Sequence, residues 1–124
     1  MEEHVMKKIL VVDDSPTARM HLTNLLDSKG YHISTASDGE EALQKAAQER
    51  PDLILLDVVM PGANGFQVCR QLKADAATKD IKVILVTSKN QKSDRFWGLK
   101  QGADAYITKP FEDAELLQSV ASYL

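Results

Sequence analysis

The chain has 124 residues, 44% of them hydrophobic and 27% charged, with a net charge of −3. That is one domain with room for a core and the composition of a soluble globular protein, and its charge argues against non-specific nucleic-acid binding. No apolar run approaches eighteen residues and no leader pattern opens the chain, so a cytoplasmic protein without membrane insertion is expected. The single cysteine, Cys69, excludes an internal disulfide and a cysteine-rich metal site. It falls in an apolar stretch of an expected helix, where a buried structural thiol fits best. Charge is unevenly placed: residues 1–62 hold 6 Lys/Arg against 11 Asp/Glu, and residues 63–124 hold 9 against 7.

Along the chain, residues 9–12 (ILVV) form a short β-branched run suited to a strand covered on both faces. Ser15-Pro16 then offers an N-cap followed by Pro at the first helical position, and the helix should run to about Lys29 and stop at Gly30. Residues 31–36 alternate as a strand. Asp38 with Glu41 has the form of a capping box, and the helix it opens should end before Pro51. Residues 53–56 make the third strand. Residues 65–73 make the third helix, with Phe66, Cys69 and Leu72 at i, i+3 and i+6. A fourth strand at 83–86 leads to a helix at 93–101 closed by Gly102. A fifth strand at 105–108 leads to a last amphipathic helix at 112–123. In the fourth helix Phe96 and Leu99, three apart, read as core and Trp97 as partly buried on the flank. Gly98 weakens that helix by roughly 0.5–1 kcal/mol relative to Ala, which either mobility or close packing would explain.

Five strand–helix units in strict alternation call for a parallel sheet with right-handed crossovers and helices on both faces. For a chain this short the expected α/β fold is flavodoxin-like, a (βα)5 three-layer sandwich of strand order 2-1-3-4-5. No repeat, low-complexity tract or linker appears, so residues 1–124 are expected to be a single domain without an output domain.

In such a sheet the functional crevice lies beyond the carboxyl ends of the strands, near the switch point between strands 1 and 3. Asp13 and Asp14 end the first of these. The segment LILLDVVMPGANG carries Asp57 to the end of the other. Three neighbouring carboxylates repel one another and raise each other's pKa values, so a positive partner is needed. A hard cation with oxygen ligands fits, and Mg²⁺ suits a site of few carboxylates plus waters. Capping explains Ser15 but not two adjacent acids. Thr87 closes the fourth strand and Lys109 follows the fifth. A phosphoryl group could share its charge among Mg²⁺, the Lys109 ammonium and the Thr87 hydroxyl, and Asp57 supplies a nucleophilic carboxylate able to form an aspartyl-phosphate.

The stretches ILVVDDSP, LILLDVVMPGANGF, ILVTS and AYITKPF resemble the receiver domain of two-component response regulators (CheY-like), over essentially the whole chain. On that resemblance Asp57 is the phosphoacceptor and Asp14 a direct Mg²⁺ ligand. Asp13 holds the metal mainly through water, and the Val59 backbone carbonyl completes the metal set. Thr87 and Tyr106 match the switch pair, Lys109 the phosphate-contacting lysine, and Lys109-Pro110 is expected cis. The phosphodonor would be a histidine kinase of CheA-like type. The signal would leave through the face of the fourth helix, fifth strand and fifth helix to a protein target, the chain being a monomer or a weak phosphorylation-dependent dimer. MPGANGFQ and KSDRFWGLKQGADAYITKP are similar to stand-alone receivers of type IV pilus twitching-motility systems, the PilG/PilH type. A receiver of that kind either transmits a signal or drains phosphate from a shared kinase.

Two positions depart from many relatives. Thr87 is followed by Ser88-Lys89, and Val59 stands two residues after Asp57 where a polar side chain is common. An apolar Val59 cannot orient a hydrolytic water, so self-dephosphorylation should be slow. The same Val59 argues against a haloacid-dehalogenase-like phosphatase, which needs a second acid there and also a cap domain. No enzyme activity is expected beyond Mg²⁺-dependent self-phosphorylation and its reversal. With every matched position intact, an inert pseudo-receiver is disfavoured. His4, His21 and His32 form no metal spacing, and no glycine-rich phosphate loop or nucleophile elbow appears.

Overall fold

The structure, a computed structural model, describes residues 6–124. The readings made for residues 1–5, including the absent leader pattern and the quiet His4, lie outside the described residues. Five parallel strands, β1 (Lys8–Val12), β2 (His32–Ala36), β3 (Leu53–Leu56), β4 (Lys82–Thr87) and β5 (Ala105–Thr108), form one sheet of order β2-β1-β3-β4-β5. They alternate with α1 (Pro16–Asp27), α2 (Gly39–Glu49), α3 (Gly65–Ala74), α4 (Lys92–Lys100) and α5 (Asp113–Ser122). The flavodoxin-like order expected from the alternation is the one observed. No described helix is long and apolar enough to cross a membrane.

The two-residue period of each strand divides the core into two layers. Ile9, Val11, Leu53, Leu55, Ile84 and Val86 pack against Leu22 and Leu26 of α1 and Leu116 and Val120 of α5. Leu10, Val12, Ile54, Leu56, Val83 and Leu85 pack against α2 and α3 through Ala42, Ala46, Val68, Cys69 and Leu72. Both faces of every central strand are therefore covered, which is why these strands read as apolar runs rather than alternating ones. Truncating one such leucine to alanine should cost about 2–5 kcal/mol. Cys69 is fully buried with its thiol toward the Gln101 carbonyl, and burial pushes that thiol up to about 11.

The caps follow the sequence with one variation. Ser15 Oγ accepts from Ala18 N–H at 3.2 Å, and Asp38 Oδ1 from Glu41 N–H at 2.8 Å. The Glu41 carboxylate reaches back past the cap to the Ser37 N–H, at 2.7 Å, so the box closes one residue early. Asn64 and Gln67 form a complete capping box on α3.

One helix differs from expectation. Phe96 and Leu99 do not enter the core: they are 64% and 42% exposed, and Trp97 is 53% exposed. The residue that faces the sheet is Gly98, buried against Leu85 and Tyr106. A helix that touches the sheet through a glycine turns its large apolar side chains outward, so the i, i+3 spacing of Phe96 and Leu99 marked the wrong side. The backbone contact favours close packing as the reason for Gly98.

Candidate functional site

Pairing of β1 with β3 puts Val12 opposite Leu56, and the Asp57 N–H continues the ladder by donating to the Val12 carbonyl at 3.0 Å. Asp13 and Asp57 therefore leave the sheet side by side. One carboxylate oxygen from each of Asp13, Asp14 and Asp57 lies within 4.8 Å of the others. Asp13 and Asp57 are buried, at 2% and 7% exposure, and Asp14 is exposed. Gly65 keeps the floor of this site tight, because a Cβ there would stand 2.2 Å from the Asp57 carbonyl oxygen. Its N–H donates to the Val58 carbonyl at 2.9 Å, which folds the loop 58–64 back over the strand end.

Lys109, in a cis Lys109–Pro110 peptide, enters from the far side of the sheet. Its Nζ donates to Asp13 Oδ2 at 2.6 Å and to Asp57 Oδ2 at 3.4 Å. The remaining oxygen of Asp57 accepts the Val59 N–H at 3.1 Å, and that of Asp13 the Ser15 N–H at 2.9 Å. Burial raises the Asp57 pKa above the ordinary aspartate value. The Lys109 charge, the Val59 N–H and the Thr87 hydroxyl oppose that rise, and the Asp13 charge adds to it. Burial alone would lower Lys109, but the Asp13 hydrogen bond and both carboxylate charges outweigh it and hold the ammonium above its usual range. The result is a carboxylate more basic than normal beside a fixed cation.

Thr87 is fully buried at the end of β4, its Oγ1 accepting the Lys89 N–H at 3.4 Å. Tyr106 is 5% exposed, and its hydroxyl donates to the Lys89 carbonyl at 2.7 Å. Burial, with the Asp94 charge, pushes the phenol up to about 12. The ring thus already lies inward in this structure. Thr87, Lys89 and Tyr106 form one connected chain from the acid cluster to the face of α4. Val59 stands at the rim with its side chain half exposed.

Asp13, Asp14, Asp57, Thr87 and Lys109 converge at the carboxyl ends of the strands, where the switch-point argument placed them. Three contributors were missed. Arg19 Nη1 donates to the Asp13 carbonyl at 2.6 Å and anchors the turn between β1 and α1. The Asn64–Gln67 box fixes the start of α3, and its N-x-x-Q spacing was readable in the sequence. Gly65 carries no sequence signal beyond being a glycine next to a cap.

Residues 9–121 match the response regulator receiver domain. The chain belongs to that family. It is 47% identical over 119 residues to the protein PilH of Pseudomonas aeruginosa, covering 96% of this chain and 98% of PilH. It spans 25% to 50% of the length of the further curated relatives it matches. Among solved structures it resembles the Vibrio cholerae chemotaxis protein CheY4, at 33% identity and a TM-score of 0.91 over 97% of this chain and 100% of that one. It also resembles the receiver domain of the Pseudomonas aeruginosa sensor histidine kinase PA1611, at 29% identity and a TM-score of 0.88 over 96% and 98% of the two chains. That structure holds a magnesium ion in its active-site cleft. Receiver domains of this kind are signalling modules rather than classical enzymes.

Proposed function

We propose that this receiver takes a phosphoryl group from a histidine kinase of CheA-like type onto Asp57, with Mg²⁺ bound at Asp13, Asp14, Asp57 and the Val59 carbonyl. The observation that carries this reading is the meeting of three carboxylates within 4.8 Å, answered among the described residues by one ammonium, Lys109. The donors are all hard oxygens and two negative charges stay uncompensated when every group is ionised, so the residues fit a small divalent cation. When bound, Mg²⁺ would neutralise charge and polarise phosphoryl oxygens.

The protein's own residues supply the rest. An Asp57 carboxylate oxygen attacks the phosphorus in line, the bond to the donor histidine nitrogen breaks, and the nitrogen keeps that electron pair. Burial favours the step by making the carboxylate a stronger nucleophile. The Lys109 ammonium, 3.4 Å from Asp57, takes up charge on a phosphoryl oxygen. The phosphoryl group carries about −1.5 to −2 charges in place of the single carboxylate charge, and the Thr87 hydroxyl turns toward it, pulling on Lys89 and the loop that leads into α4.

The signal leaves by the face of α4, β5 and α5, to a protein partner or to a second copy in a weak phosphorylation-dependent dimer. Phe96, Trp97 and Leu99, exposed and ringed by Lys92, Arg95 and Lys100, support such a contact surface. The match to PilH over nearly its whole length supports a stand-alone receiver that acts by contact, in the cytoplasm, in type IV pilus twitching motility or taxis.

The test is intact-protein mass after acetyl phosphate, with and without Mg²⁺, beside Asp57→Asn. One Mg²⁺-dependent phosphoryl adduct, absent from the variant, is expected. An adduct that survives in Asp57→Asn, or forms equally in EDTA, sinks the reading.

A further inference from the structure

Helix α4 buries against the sheet a residue without a side chain, Gly98. A methyl group on Gly98 would stand 2.8 Å from Leu85 Cδ1 and 3.0 and 3.1 Å from Tyr106 Cδ2 and Cε2. Two side chains could give way. Leu85 is fully buried on β4, one strand in from the sheet edge, among core residues. Tyr106 lies on β5, the edge strand, where rotation about its side-chain bonds leads to solvent. Its ring is held inward at two points, the hydroxyl on the Lys89 carbonyl at 2.7 Å and the ring edge against Gly98, while Arg95 Nη1 donates to its backbone carbonyl at 3.1 Å. Arg95 and Gly98 both belong to α4, so the helix contacts Tyr106 at its backbone and at its ring.

We propose that Gly98 is the positioning residue for Tyr106: the notch left by its missing side chain lets the ring rest inward before any phosphoryl group arrives. Resting on the receiver reading above, this changes what phosphorylation has left to do. The ring need not swing. Thr87 and the loop 88–91 move against a ring already in place. The same glycine explains why a helix with poor intrinsic propensity at its centre is kept there: alanine would be the better helix former, but it would fill the notch.

The experiment is a double-mutant cycle read as urea midpoints of metal-free parent, G98A, Y106A and G98A/Y106A. G98A should lower the midpoint clearly more in the parent than in the Y106A background, where only the Leu85 contact and helix propensity act. An equal lowering in both backgrounds would assign the clash to Leu85 and overturn the proposal, and a rise in both would show that no notch is needed. Should G98A fail to fold, recovery of folding in G98A/Y106A reads the same clash, and failure of both overturns it.

A second readout separates positioning from packing. With 3-fluorotyrosine incorporated and the Tyr106 line assigned by Y106F, the ¹⁹F shift between H₂O and D₂O should be small in the metal-free parent and large in G98A. A large shift in the parent overturns the resting-inward position. Both readouts need neither metal nor phosphate, so absence of the Asp57 adduct would defeat the receiver chemistry and leave the Gly98 result standing.

Discussion

At the far end of the sheet from the acid cluster, Lys73 reaches a partly buried carboxylate much as Lys109 does at the rim. Lys73 Nζ donates to Asp104 Oδ2 at 3.0 Å and to the Ile81 carbonyl at 2.8 Å. Asp104 Oδ2 also accepts the Val83 N–H at 2.8 Å, and the Asp104 carbonyl takes the Tyr123 hydroxyl at 2.9 Å. One cation meets one anion, and the pair ties α3, β4, β5 and the end of α5 together. At the rim, Lys109 serves two carboxylates while a third lies within 4.8 Å. A balanced pair holds elements in place, whereas an unbalanced cluster keeps a repulsion that only a further ligand relieves. Charge ratio, more than burial or bond length, separates the two ends.

The largest expected effect breaks the balanced end. Asp104→Ala leaves Lys73 without its counter-ion and Val83 N–H without an acceptor, and should lower stability by about 2–4 kcal/mol, somewhat under the loss for a fully buried pair. Asp57→Asn, measured without metal, should move the urea midpoint the other way, because it removes one charge from an excess. If both variants fall together, the rim is as balanced as the far end and the contrast fails. Next in size is the ligand itself. Mg²⁺ at 100 times its dissociation constant should stabilise the parent by about 2.7 kcal/mol, EDTA should reverse this, and Asp14→Asn should lose most of it. Asp104 variants should keep the full increment even though they start lower. Thermal melts in matched buffers read all of these.

Sequence alone reached the sheet order and the rim cluster for one reason: both depend on where apolar runs end. Asp13, Asp57, Thr87 and Lys109 each stand at or just past the end of an apolar strand run. The Lys73–Asp104 pair was invisible because its members lie 31 residues apart, on a helix's last turn and at a strand's approach, with nothing in either to distinguish them from surface charges. Phe96 and Leu99 were misplaced for a different reason. Their spacing satisfies a helical period on the outer face as well as on the inner one, and only contact with the sheet decides between the two. Gly98, for which mobility and close packing were both open, is the contact. Where the backbone itself packs, side-chain periodicity has no signal to give.

A smaller effect sharpens the rim without altering its charge. Val59 is 52% exposed and offers no group to hold a water near Asp57. Val59→Asn supplies an amide there, and decay of the Asp57 adduct should quicken about tenfold, on the order of 1.4 kcal/mol in the barrier, with Mg²⁺ stabilisation unchanged. Asp104→Asn should leave the decay rate alone. A Val59→Asn adduct that lasts as long as the parent's removes Val59 as the brake.

The smallest effect asks whether an acid near the rim can behave like the far end. Glu41, in the first turn of α2, has its own partners: the Ser37 N–H at 2.7 Å, the Ser37 hydroxyl at 3.1 Å and Lys45 at 3.4 Å. The Ser37 N–H is the main cause that holds its pKa below the usual glutamate value of 4.5; slight burial works against it, and the Ser37 hydroxyl and Lys45 add to it. A carboxylate depressed in the folded state stabilises above its unfolded pKa, and that contribution is lost as pH falls through the folded one. Glu41→Gln should therefore cost a few tenths of a kcal/mol at neutral pH, discounted because the side chain is more than a third exposed. The gap to the parent should close below pH 4.5. Asp57→Asn should show the opposite sign at neutral pH in the same metal-free titration. If the two curves run parallel, nearness to the rim rather than lack of a partner governs these acids, and charge ratio is the wrong measure of what makes this end reactive.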